Sequence, residues 1–310
     1  MGVNMNRVVK IIITVCIIFL IIFLLKGVKN YGIHKILESD YEPKYYINEL
    51  YKSKEINYRM LLDEKEKNMY EEIIENIINF KTSFVVTMDN FDYNYDSLYF
   101  DKISEITNII FMDHPELIYI GTFSMSKERG SNKVTIKPSY LMNKDEYIKN
   151  IEEIKLIINK VKEETKELNE YEKVKYVYDY IGKSNTYGNV KDYMGQSAYS
   201  AFNKGLSPVC AGYSKASQIL FSNIGINSLL IFGDAEYALF LGDAHAWNVV
   251  EIDKKYYLYD VTMSSNLDGK EFYRGFLIGD NNHKPWNKEA SPYLNVKNYK
   301  KFWNNIWYNL

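Results

Sequence analysis

The chain has 310 residues, a formal charge of -2, 46% hydrophobic and 25% charged residues, which is ordinary for a globular protein of one large or two modest domains. The near-neutral balance argues against a sequence-independent nucleic-acid binder, which needs a basic excess. Of the two cysteines, Cys16 lies in an apolar N-terminal run, so the remainder carries one thiol and no intrachain disulfide. A cytosol and a bacterial surface protein built without disulfides both fit that usage.

Ile11 to Leu25 is unbroken apolar except for Thr14, with Arg7 and Lys10 before it and Lys26 and Lys29 after. Adding Val8, Val9, Gly27 and Val28, with the flanking lysines snorkelling, brings it into the ~20-residue range of a spanning helix. No alanine precedes Ala198, so an A-x-A cleavage site is missing. Residues 8–28 therefore read as an uncleaved, single-pass signal anchor within a segment 1–29. Basic residues are nearly balanced across it; the short N-terminal tail favours N-inside, with the rest of the chain outside the cell membrane.

Residues 30–80 are polar, with helical spacing at Met69, Ile73, Ile74, Ile77 and Ile78. Phe84 to Met88 reads as a strand, Ile103, Ile106, Ile109 and Ile110 as a helix, and Asp113 to Ile120 as a turn into a second strand. Lys133 to Pro138 alternates with period two and reads as a third strand ended by its proline. Residues 30–142 are thus expected to form a helical linker and a small α+β lobe, in which His114 is most simply a turn residue. Tyr147, Ile151, Ile154, Ile158, Val161, Thr165 and Leu168 recur in 4,3 steps and make one face of a helix from Asn143. A second helix, about Glu170 to Ile181, buries Val174, Val177, Tyr178 and Ile181, with Gly182 as its stop. Of nine alanines, eight lie between Ala198 and Ala246, where small side chains permit the tightest packing.

Ser207 to Ala216 reads as a loop turning into a helix from Cys210 to about Asn223, with Tyr213, Ala216, Ile219, Leu220 and Ile224 on one side. Gly225 ends it, and Pro208 cannot continue a preceding element. Cys210 therefore sits in a first helical turn, where free N–H groups favour a thiolate. A small buried hydrophobe is the other reading of a lone cysteine.

A nucleophilic thiol needs a base, and the base an orienting acceptor. Of four histidines, His245 opens the β-rich run to Ile252, and Lys255 to Thr262 forms another beyond Asp253-Lys254. If Ile252 faces Lys255 across a two-residue loop, Trp247 opposes Asp260, and His245 and Asp260 become diagonal neighbours on one face, ~7–8 Å apart at the backbone. A one-residue slip would separate them onto opposite faces. Asp260 as a turn cap and His245 as a satisfied core histidine remain open. So does a zinc site from Cys210, His245 and Asp260, which lacks a CxxC or HxxxH signature.

Gln196-Ser197-Ala198-Tyr199, Val209-Cys210-Ala211-Gly212-Tyr213, His245-Ala246-Trp247-Asn248-Val249 and Tyr259-Asp260-Val261-Thr262, in this order and spacing, resemble the transglutaminase-like superfamily, relatives of the papain-like thiol enzymes. The closest form is membrane-anchored or secreted in low-GC Gram-positive bacteria, where an Asp-His-Pro-Glu-Leu-like segment (here Asp113 to Leu117) is shared. The resemblance implies an α+β fold: a nucleophile helix packed on an antiparallel sheet, core about 171–265, within a unit 143–310. It also implies a Cys210, His245, Asp260 triad. In that chemistry Cys210 attacks an amide carbonyl, His245 moves the proton and Asp260 holds the imidazole. The Cys210 N–H and Gln196 are the oxyanion-donor candidates, capping or packing being the other use of Gln196. The expected partner is a peptide or protein substrate, with cell-wall association among the options; no cofactor and no nucleic acid are expected. The alternative is a weak or inactive surface module that uses the cleft for binding. Met263 stands where relatives commonly carry tryptophan, a change able to reshape the cleft floor. Trp247 reads as a packing residue beside His245.

Overall fold

The structure is a computed structural model that describes residues 50–51, 58–88, 96–235, 244–278 and 299–301. The expected anchor, residues 8–28, lies outside the described residues. Among those described, no helix is long and apolar enough to cross a membrane.

A small lobe comes first. Helix α1 (Glu64–Ile78) starts at Asp63, whose carboxylate accepts from the Lys65 and Glu66 N–H groups while Glu66 reaches back, a reciprocal cap. Its buried side is Met69, Tyr70, Ile73, Ile74 and Ile77, the face expected from their spacing. Strand β1 (Phe84–Thr87), helix α2 (Asp96–Asp113), strand β2 (Ile120–Lys127) and strand β3 (Lys133–Tyr140) follow. The three strands form an antiparallel sheet in the order β1-β3-β2. One expectation needs correction here. Strand β3 does not stop at Pro138 but runs to Tyr140. The last residue β1 pairs is Ile136, so at Pro138 that side of β3 is an edge and the missing N–H breaks no ladder. As expected, the segment before the second strand is a turn, here buried and polar, and the strand begins at Ile120. Asp113 there accepts from the N–H groups of Tyr58 at 2.6 Å and Arg59 at 3.0 Å, and from the Tyr70 hydroxyl at 3.2 Å. Beside it, His114 Nδ1 lies 2.8 Å from Glu116 Oε1, both groups buried. His114 is a turn residue that latches the lobe.

Helix α3 (Lys144–Thr165) opens on an Asn143 cap and buries Tyr147, Ile151, Ile154, Ile158, Val161 and Thr165. Helix α4 (Glu170–Ser184) opens on Asn169 and buries Val174, Val177, Tyr178 and Ile181. Gly182 does not end it. It lies inside the helix, where a Cβ would meet Ser264 Oγ at 2.5 Å and the Phe272 ring at 2.8 Å; its smallness serves close packing. A short helix α5 (Ala198–Phe202) leads to α6 (Cys210–Ile224), closed by Gly225 at φ 74.

The second sheet is antiparallel, in the order β6-β5-β4-β7, from β4 (Ser228–Ala235), β5 (Ala244–Ile252), β6 (Lys255–Tyr259) and β7 (Tyr299–Lys301). Helix α6 packs between this sheet and helices α3, α4 and α5. The expected one-sided stripe therefore understates its burial. Gly212 to Phe221 is buried all round, including Ser214, Lys215, Ser217 and Gln218. The two lobes are joined by backbone acceptors. The Tyr58 hydroxyl donates to the Leu230 carbonyl at 2.9 Å, and Ser197 Oγ to the Ile118 carbonyl at 2.7 Å.

Candidate active site

Ile252 pairs with Lys255, and the ladder continues through Asn248 opposite Tyr259, the register expected for a two-residue loop. Asp253 and Lys254 both adopt positive φ, 51 and 60, the primed turn that matches strand twist. Strand β6 stops at Tyr259, short of the expected Thr262. Asp260 instead begins a 3-10 turn over Val261–Ser264, its Oδ1 accepting from the Thr262 N–H at 3.1 Å. Its other oxygen, Oδ2, lies 2.8 Å from His245 Nε2. One carboxylate thus caps a turn and holds an imidazole. With Nε2 committed to Asp260, Nδ1 is the ring nitrogen that remains to serve Cys210.

Cys210 is the first residue of α6, and Val209 before it supplies no side-chain cap. In place of a cap, the Cys210 N–H reaches the Tyr187 hydroxyl oxygen. Gly212 brings this turn hard against the loop carrying Gln196: a Cβ there would lie 2.3 Å from the Gly195 carbonyl oxygen and 2.7 Å from Ser200 Oγ. The Val209 N–H closes the contact, donating to the Gly195 carbonyl at 2.9 Å.

Burial alone would raise the Cys210 thiol pKa. The His245 hydrogen bond and charge, the Tyr187 hydroxyl and the Ala246 N–H outweigh it, and the pKa lies below its ordinary value. For His245, burial alone would lower the pKa; the Asp260 carboxylate and then Cys210 reverse this and raise it to about 10. Both directions favour a thiolate beside an imidazolium.

Cys210 and His245 line a cleft of about 460 Å³ together with Gln196 and Tyr187. The opposite wall comes from the small lobe, with Phe111 of α2 and Phe123 of β2 among its lining residues. Asp260 is 1% exposed behind the imidazole. Met263 is not among the described lining residues; it packs against the core. Trp247 is fully buried and stacks on His245 with ring centroids 6.0 Å apart, a packing residue as read. Among the described residues, no three His, Cys, Asp or Glu side chains converge as a metal site.

Sequence reasoning missed two residues here. Tyr187 stands in an apolar-poor loop with no local signal; only the fold puts its hydroxyl at Cys210 and its ring on Tyr213, centroids 6.3 Å apart. Lys215 did carry a signal, a lone cation in the alanine-rich helix that follows Cys210.

The family model described as the transglutaminase-like superfamily matches residues 159–261, from the middle of α3 to the turn after Asp260. That segment is built of mixed helices and antiparallel strands, and it contains Cys210, His245 and Asp260. No curated protein matches the chain. Among solved structures, a protein from Cytophaga hutchinsonii proposed to be a cysteine protease is similar at 14% identity and a TM-score of 0.29, covering 46% of this chain and 61% of its own. A structure described as a TGase is similar at 16% identity and a TM-score of 0.33, covering 66% of this chain and 60% of its own. The chain therefore spans less than two thirds of the length of either.

Proposed function

We propose that this protein is a thiol enzyme acting on peptide or protein amide bonds, with Cys210 as nucleophile, His245 as proton carrier and Asp260 as the group that orients it. The observation that carries the reading is the buried His245–Asp260 pair at 2.8 Å, facing a thiol on a first helical turn at the wall of an open cleft. In this reaction the Cys210 sulfur adds to the amide carbonyl, and the oxyanion draws on the Cys210 N–H and on Gln196. The C–N bond then breaks as the imidazolium gives its proton to the departing amine or ammonia, leaving a thioester. Water resolves the thioester to an acid, giving cleavage or deamidation; an amine resolves it to a new amide, giving a crosslink.

The apolar run at residues 8–28 supports a single-pass tether with the thiol domain outside the cell. Peptides or proteins of the cell surface or wall are then the substrates within reach. Digestion of intact cells by an added protease tests this, since a protected domain would place it inside.

The deciding experiment incubates the full chain with a peptide library and an amine donor, comparing wild type with Cys210→Ala by mass spectrometry. Cleavage, deamidation and amine incorporation have distinct mass shifts. The absence of any Cys210-dependent shift would overturn the assignment.

A further inference from the structure

Lys215 is on the nucleophile helix, five residues after Cys210, and lines the same cleft. It is 7% exposed. A lysine so buried ordinarily has a carboxylate partner, because an unpaired ammonium in a poorly hydrated site is costly. Lys215 has none among the described residues. Its ammonium instead lies over the Phe111 ring at 5.0 Å and the Phe232 ring at 5.9 Å, so two aromatic faces from the opposing walls hold the charge at the cleft. No Asp or Glu is found among the described residues that line this cleft. Burial lowers the lysine pKa to about 8, against the pull of Cys210, which leaves it mostly protonated at neutral pH. Lys215 is thus a buried ammonium flanked by two aromatic rings at the reacting cleft.

We propose that Lys215 is a specificity-determining residue whose ammonium binds a carboxylate of the substrate, so that the cleft selects peptides bearing an acidic group close to the acyl group transferred to Cys210. Five residues of helix span ~7.5 Å along the axis, and an extended peptide advances ~3.3 Å per residue. The acidic group is therefore placed about two residues from the reacting amide. An Asp or Glu side chain and a free peptide C-terminus supply the same chemistry. The acyl transfer rests on the thiol-enzyme reading, but the anion subsite itself can be measured without turnover.

The test uses the full chain and pairs of peptides. One set carries Asp against Asn at each of the two positions on either side of the reacting amide. A second set ends in a free carboxylate against a C-terminal amide, which separates the two sources. Turnover is measured with wild type, Lys215→Met and Lys215→Arg. Binding of the same pairs is measured by calorimetry on Cys210→Ala, alone and combined with Lys215→Met. The expected result is a preference of about 30-fold for the acidic member of one set, as for a largely desolvated charge pair. That preference should vanish in the methionine variant and be partly restored by arginine. Equal use or equal binding of acidic and neutral peptides by the unaltered Lys215 site, or failure of both kinds to bind, overturns the subsite whatever the variants do. A preference that survives in Lys215→Met overturns it as well. Acid-selective binding without Cys210-dependent turnover would sink the enzyme reading and leave the subsite standing. Turnover without acid selectivity would do the reverse.

Discussion

Asn248, three residues beyond His245 on β5, donates its side-chain amide to the carbonyl of Ser214, four residues beyond Cys210 on α6, at 3.2 Å. The same amide donates to Gln218 Oε1 at 3.2 Å, and Gln218 in turn donates to the Ser228 carbonyl at 2.8 Å. This buried chain sets the height of the nucleophile helix over the strand that carries its base. Replacing Asn248 by Ala should cost about 1–2 kcal/mol of stability. Because catalysis is sensitive to small displacements of reacting groups, Cys210-dependent turnover should fall by roughly tenfold or more. Denaturant unfolding and steady-state rates together test this; unchanged turnover would detach the network from the site.

The direction of the two pKa shifts predicts a broad window of reactivity. The thiol pKa is lowered and the imidazole pKa is raised to about 10. A thiolate–imidazolium pair therefore exists above the first and below the second, the two belonging to the pair jointly. Alkylation of Cys210 by iodoacetamide should already proceed near pH 6, and kcat/KM should fall as pH rises toward 10. Removing the Tyr187 hydroxyl in Tyr187→Phe should move the acid limb upward. His245, with its folded pKa raised, contributes stability that is present below the ordinary imidazole pKa and lost as pH rises through about 10.

Gln196 is assigned a share of the oxyanion, and the loss of one such donor typically costs about 100-fold in kcat with little change in KM. Gln196→Ala should show that pattern with an unaltered melting temperature. A drop in stability without a specific kcat loss would make it a packing residue.

Gly212 is in van der Waals contact with the Gln196 loop, with no room for a methyl group. Gly212→Ala should destabilise the fold by about 1–3 kcal/mol, as overpacking does, and should lower activity beyond the loss of folded protein. Calorimetry and active-site titration separate the two effects.

His114 predicts the opposite profile. It is 4% exposed and paired with Glu116 at 2.8 Å, and it is not among the described residues that line the cleft. Breaking that pair in His114→Ala should cost about 3 kcal/mol, while turnover per folded molecule stays unchanged. Selective loss of turnover would reopen a catalytic role for it.

Local chemistry in the sequence determined a good deal. Helix starts lie in near neighbours: Asp63, Asn143 and Asn169 are each followed three residues later by Glu, and each pair caps its helix. The β5–β6 register was legible because a two-residue loop leaves one pairing that keeps both apolar faces inward. That pairing brings the chain to Tyr259 opposite Asn248, and the 3-10 turn that Asp260 caps completes the approach to His245. Where a local rule met a distant neighbour, it failed. Pro138 did not end its strand because β1 had already stopped, and Gly182 did not end its helix because Ser264 and Phe272 press against it. The cleft itself belongs wholly to the tertiary structure. Phe111, Tyr187, Lys215 and Phe232 are far apart in the chain, and nothing in their local pattern says that one wall must come from the small lobe. Only the packing of that lobe against α6 and β4 strips water from Lys215, and with it turns an ordinary lysine into a charge at the reacting site.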